Sequence, residues 1–151
     1  MADGSQNIRR AVEPRRGGWI MGIDPSVTAT GYCDGKLGRL SDTPGKYWRA
    51  GVVTHPKDMK GMERVHSTME QIERALCDAG PKAVFMEGYA FSRGKVGRVF
   101  DLAETGMAIK LVVLRMGIPI IVVPPTTLKQ FVTGKGSAGK PEVAAAIQET
   151  W

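Results

Sequence analysis

Two carboxylates close short apolar runs in this chain. Asp24 ends WIMGID, residues 19–24, and Glu87 ends AVFME, residues 83–87. A carboxylate at a buried strand end loses hydration that something must replace. Two of them on adjacent central strands would also repel each other. A divalent cation answers both problems, because hard oxygen donors suit Mg²⁺ or Mn²⁺. The plainer reading of the same residues is a turn-forming Asp24 before Pro25 and a solvated Glu87 at a strand end.

The cations of the chain are distributed unevenly. No acid occurs between Glu87 and Asp101, where Arg93, Lys95 and Arg98 stand. None occurs between Glu104 and Glu142, where Lys110, Arg115, Lys129, Lys135 and Lys140 stand. If the link GKGSAGK, residues 134–140, shares a face with the carboxylates, the acids sit in a basic surround. Such a surround suits metal-assisted cutting of a phosphate backbone; a scattered solubility charge is the alternative. Gly134, Gly136 and Gly139 would let the link approach phosphates closely. Tyr89 and Phe91 follow Glu87 in a turn-rich stretch. There an aromatic could stack on an unpaired base for roughly 1–3 kcal/mol, or serve the core instead. His55 and His66 have no zinc-ligand spacing, and Cys33 and Cys77 are expected as small buried hydrophobes. No GxSxG nucleophile elbow is present.

The elements that must position these residues change period along the chain. WIMGID reads as a mostly buried strand, followed by strands in VTATGYCD (27–34) and KYWRAGVVTH (46–55). Short links between them suggest an antiparallel meander. From 58 to 79 the residues Met62, Val65, Met69, Ile72 and Leu76 recur at steps of three and four, which predicts an amphipathic helix ended by Gly80-Pro81. KAVFME is a fourth strand, 97–116 a second helix stopped by Gly117, and IPIIVVP a fifth, fully buried strand. PTTLKQFVT and PEVAAAIQETW begin two more helices. The expected class is α/β, a mixed five-stranded sheet flanked by helices.

The 151 residues include 21 Lys and Arg against 15 Asp and Glu, a formal charge of +6 that favours a polyanionic partner. With 42% hydrophobic residues, a chain of this length buries roughly 68–70% of its unfolded surface, enough for one domain without staples. No run approaches the ~20 apolar residues of a membrane span. Two cysteines build no disulfide framework. Residues 1–18, with Arg9, Arg10, Arg15 and Arg16, read as a disordered basic arm rather than a signal peptide. These features point to a cytoplasmic domain with no membrane partner.

Three segments taken together, MGIDPSVTATGY, AVFMEGYAFSRG and LKQFVTGKGSAGKPEV, resemble the RuvC Holliday junction resolvases of bacteria and phages. The resemblance covers residues 19–151 and implies a ribonuclease H-like fold. It implies a homodimeric endonuclease that resolves Holliday junctions and other branched DNA. Asp24 matches the first-strand metal carboxylate and Glu87 the fourth-strand one. Lys129 and Lys140 match basic positions near DNA, which Arg93, Lys95, Arg98 and Lys135 would extend. The helix around 98–115 matches the dimer helix. The family places a junction-prying aromatic shortly after the Glu; Ala90 falls on its usual place, so Phe91 and Tyr89 compete for the role. Hydrolysis would use two Mg²⁺ or Mn²⁺ ions ~4 Å apart, with no covalent protein intermediate. The family completes its metal site with acids beyond the KPEV region, and Glu142 and Glu149 lie too early to match them. The remaining acidic ligands are thus expected beyond Trp151, where the sequence ends in mid-helix. The expectation is therefore a C-terminally shortened chain with impaired cleavage. A branched-DNA-binding module without nuclease activity shares every basic feature. GIDPSVTATGY also resembles actin-like sugar kinases, but the chain is too short for two such lobes.

Overall fold

The computed structural model describes residues 18–36, 48–89 and 96–150, with the side chains of 96–98 and 150 left aside. Residues 1–17 of the proposed arm, Phe91, Arg93 and Lys95 lie outside the described residues, as does the side chain of Arg98. Trp151 lies outside them too, and with it the expectation of further metal-binding acids past that residue. Five strands and four helices follow in the order β1 (Trp19–Asp24), β2 (Thr30–Lys36), β3 (Trp48–Val53), α1 (Gly61–Ala79), β4 (Ala83–Glu87), α2 (Val96–Arg115), β5 (Ile120–Val123), α3 (Pro125–Thr133) and α4 (Lys140–Thr150). The expected β1-β2-β3 meander is present, antiparallel at both joints. β4 and β5 then add in parallel, giving the sheet order β3-β2-β1-β4-β5.

Alternation along β1 and β4 decides what lies on each face. Met21 and Ile23 of β1, with Val84 and Met86 of β4, turn to one side and are almost wholly buried. There they meet Ile72 and Leu76 of α1 and Ile109, Val112 and Val113 of α2, which form the core with them. Of the stripe read from the sequence as the apolar face of α1, Ile72 and Leu76, with Met69 against them, supply this cover, while Met62 in the first turn stays exposed; Gly80 ends the helix at φ 54°, a left-handed position that suits glycine. Gly22, Asp24, Phe85 and Glu87 fall on the opposite face by the same alternation.

That second face is open, and two expectations change with it. β5 is not fully buried: Ile121 and Val122 are 46% and 47% exposed. β5 is an edge strand, so a continuous apolar run does not require burial on both sides. Cys33 and Cys77 are exposed rather than buried. Cys33 sits opposite Gly22 in the ladder, on the open face. Across β2 and β3, buried Asp34 accepts two hydrogen bonds from Arg49, at 2.8 and 3.1 Å, which holds those strands in register beside β1.

Candidate active site at the tips of β1 and β4

The β1–β4 ladder pairs Ile23 with Met86, so the next residue on each strand is a carboxylate. Asp24 and Glu87 therefore emerge side by side on the open face, Asp24 exposed and Glu87 half-buried. The two carboxyl groups lie close enough to interact directly. Burial pushes the Glu87 carboxyl above its ordinary value, and the charge and closeness of Asp24 push further. Lys129 and Lys140 pull the other way. The net direction is upward, so two lysines do not offset one buried acid facing another.

Helices α3 and α4 deliver those lysines. Pro125 opens α3 immediately after β5, which brings Lys129 back over the strand tips. Gly136 lies close against the Thr126 carbonyl, and α4 starts at Lys140. Lys135 goes elsewhere: with Glu142 and Glu149 it lines a separate hollow of about 380 Å³. The Gly139 amide donates to the Glu142 carboxylate at 2.6 Å, which caps α4. Of the basic set read from the sequence, Lys129 and Lys140 reach the carboxylates. The spacing Gly134, Gly136, Gly139 formally matches GxGxxG, yet it joins two helices and lacks the preceding strand of a dinucleotide cradle.

Below the acids the open face forms a trough of about 620 Å³. Its walls include Phe85, Val123, Leu128 and Ile147, and Gly22, Gly31 and Ala50 keep its floor low. The trough is apolar except at the end where Asp24 and Glu87 stand. Among the described residues no third His, Cys, Asp or Glu completes a cluster with them. Glu142 and Glu149, judged too early in the sequence to serve, line the other hollow.

Tyr89 does not stand free beside the trough. Its ring lies against α2, where its hydroxyl donates to the Ala103 carbonyl at 3.5 Å. Lys110 Nζ approaches the ring centroid to 5.1 Å. A Cβ at position 106 would collide with the ring and hydroxyl, so Gly106 is the notch that admits them. Burial pushes the Tyr89 hydroxyl up. Sequence reasoning missed this packing, although a signal was present. Glycine in the interior of a helix costs about 1 kcal/mol relative to alanine, which asks for a close approach. On α2, Phe100, Met107, Leu111 and Leu114 also remain exposed.

The fold and the carboxylates at neighbouring strand tips define a ribonuclease H-like nuclease domain. The chain belongs to the RuvC family of crossover junction endodeoxyribonucleases, whose pattern matches residues 20–150. It is similar to the RuvC of Streptomyces avermitilis, with 32% identity over 130 residues, or 85% of this chain and 71% of that protein. The RuvC of a Parafrankia species is 31% identical over 131 residues, with 85% and 70% covered. Among solved structures, Thermus thermophilus RuvC in complex with a Holliday junction substrate superposes with a TM-score of 0.72 at 24% identity, covering 87% of this chain and 78% of that one.

The donor set fits a divalent cation. It offers hard oxygens on two strands, and the Asp24 charge that pushes the Glu87 carboxyl upward is one that a cation would neutralise. The raised Glu87 value has a sign that can be checked. A carboxyl that holds its proton more tightly when folded loses stability as pH rises from the ordinary 4.5 through the raised value. Glu87→Gln should therefore raise the thermal midpoint of the metal-free chain at pH 7.5. The gap between variant and parent should close below pH 4.5. Calorimetry at the two pH values measures it, and a lower midpoint for the variant at pH 7.5 would contradict the repulsion.

Proposed function

We infer that this chain is a crossover junction endodeoxyribonuclease that resolves Holliday junctions and related branched DNA by divalent-cation-dependent phosphodiester hydrolysis. The supporting observation is the Asp24–Glu87 pair, carboxyl to carboxyl at adjacent parallel strand tips, under the charges of Lys129 and Lys140. Membership in the family names the substrate class, and the pair supplies the chemistry. Mg²⁺ or Mn²⁺ is the cation of choice for an all-oxygen donor set.

Asp24 and Glu87 would hold the cation and so fix where the scissile phosphate comes to rest. On binding, the chemistry supplied is polarisation of a phosphoryl oxygen and a lower pKa for attacking water. Lys129 and Lys140 grip the flanking phosphates by charge and set the backbone's approach. Phe85, Leu128 and Ile147 keep the ground beside the acids apolar, which strengthens electrostatic interactions there. Arg93, Lys95, Arg98 and Lys135 are the further basic residues assigned to DNA binding, and Phe91 is the candidate for stacking on the junction's bases.

The active form is a homodimer through α2. Phe100, Met107, Leu111 and Leu114 repeat at helical spacing and leave an apolar stripe on its outer side. A two-fold pairing along that stripe puts two sites on a roughly two-fold substrate and yields paired nicks.

In a version extended past Trp151, Asp24→Asn should abolish Mg²⁺- or Mn²⁺-dependent nicking of a four-way junction while leaving junction binding nearly unchanged. Retained nicking would remove Asp24 from the chemistry. Tight junction binding with no nicking under any divalent cation, by this chain and by a version extended past Trp151 alike, would assign it to the binding class instead. Lys129→Ala combined with Lys140→Ala should weaken junction binding and reduce its log–log salt slope by about 0.9 for each phosphate no longer neutralised. An unchanged slope would move the DNA path elsewhere.

A further inference from the structure

We propose that Tyr89 is a positioning residue for Glu87: its ring, seated at Gly106, ties the tip of β4 to α2 and sets how Glu87 meets Asp24. The proposal rests on reading Asp24 and Glu87 as the cation-holding pair, and it adds a residue that acts through one of them.

The need for such a tie follows from the ladder. β4 has five residues, and Glu87 is its last. Pairing with β1 runs from Ile20↔Ala83 to Ile23↔Met86 and stops one residue short of Glu87. Pairing with β5 continues through Glu87↔Val123, and the Gly88 amide donates to the Val123 carbonyl at 2.8 Å. The tip is thus held on the β5 side, while a like charge faces it from the β1 side. Two carboxylates side by side push apart, and the terminal residue of a short strand is where a chain yields first.

Tyr89 supplies the remaining hold. It follows Glu87 by two residues, and three groups of α2 meet its side chain. Ala103 offers its carbonyl, Gly106 leaves room for the ring and hydroxyl, and Lys110 lies over the ring. Residues 103, 106 and 110 recur at steps of three and four, so they lie on one side of the helix. That side adjoins the exposed residues Met107, Leu111 and Leu114. Whatever presses on the apolar stripe of α2 therefore presses on the helix that holds Tyr89. By this route, pairing of two copies steadies the carboxylate that each one uses.

The test uses the full chain without DNA. Mn²⁺ binding is followed by electron paramagnetic resonance, and amide exchange of Glu87 and Gly88 is followed without metal. Tyr89→Ala and Gly106→Ala should each weaken Mn²⁺ binding about tenfold, the scale seen when the support of a metal ligand is removed. Tyr89→Phe keeps the ring and should stay within about twofold, because it gives up one long hydrogen bond. Once the ring is gone, adding Gly106→Ala should cost no further affinity and should raise the thermal midpoint through helix propensity. A merely structural role would move the midpoint and leave Mn²⁺ affinity alone. Tyr89→Leu replaces Tyr89→Ala if the latter does not fold.

Glu87→Gln separates the two readings. If it weakens Mn²⁺ binding while Tyr89→Ala and Gly106→Ala do not, the positioning role is overturned and the ligand role stands. If Glu87→Gln has no effect, the ligand reading fails. Amide exchange then judges the tie alone: faster exchange at Glu87 and Gly88 in both variants upholds it, and unchanged exchange overturns it.

Discussion

Two like charges on neighbouring strand tips are the constraint on which this molecule turns. The pairing of Ile23 with Met86 makes Asp24 and Glu87 neighbours, and the alternation of both strands puts them on the same face. With Met21, Ile23, Val84 and Met86 committed to the core, neither acid can turn inward without dragging its strand out of register. The proximity of the two acids is therefore built into the sheet. It raises the Glu87 carboxyl above its ordinary value, and Lys129 and Lys140 offset it in part. Carboxylates set against each other in this way favour the entry of a cation that neutralises both.

The surrounding structure keeps this arrangement from relaxing. The core side is closed by α1 and α2, which fixes the strands from behind. Arg49 neutralises buried Asp34 and keeps β2 and β3 aligned beside β1. α3 and α4 carry the two lysines from positions later in the chain, so the positive charge near the acids depends on tertiary packing. Glu142, the nearest acid in sequence to Lys140, is occupied with the Gly139 amide and stays out of the site. Charge sign is thus sorted by fold: acids at the strand tips, cations above them, and the carboxylates of α4 turned to a separate hollow.

Much of this was legible in the chain itself. Apolar runs ending in Asp24 and Glu87 marked the strand tips, and the three-and-four spacing from Met62 to Leu76 marked α1, because local period reflects which side is buried. The meander followed from its short links, and a mixed sheet was expected without the direction of β4 and β5 being read. Solvent exposure of β5, Cys33 and Cys77 was not legible. An apolar residue on an uncovered sheet face has the same spelling as one under a helix, and only the layer count separates them. Lys135 could not be told from Lys140 by charge, since five residues of a glycine-rich link send them to different hollows. Tyr89 looked like a base-stacking candidate because its sequence neighbours are turn-formers. Its partner, Gly106, lies 17 positions away on α2, beyond the reach of local pattern.

Crystals of the chain grown with Mn²⁺ and measured at the manganese absorption edge address the central claim most directly. The expected result is an anomalous peak within coordination distance of both the Asp24 and Glu87 carboxylates. Well-ordered Asp24 and Glu87 carboxylates at saturating Mn²⁺, with the anomalous signal elsewhere on the protein, would contradict it.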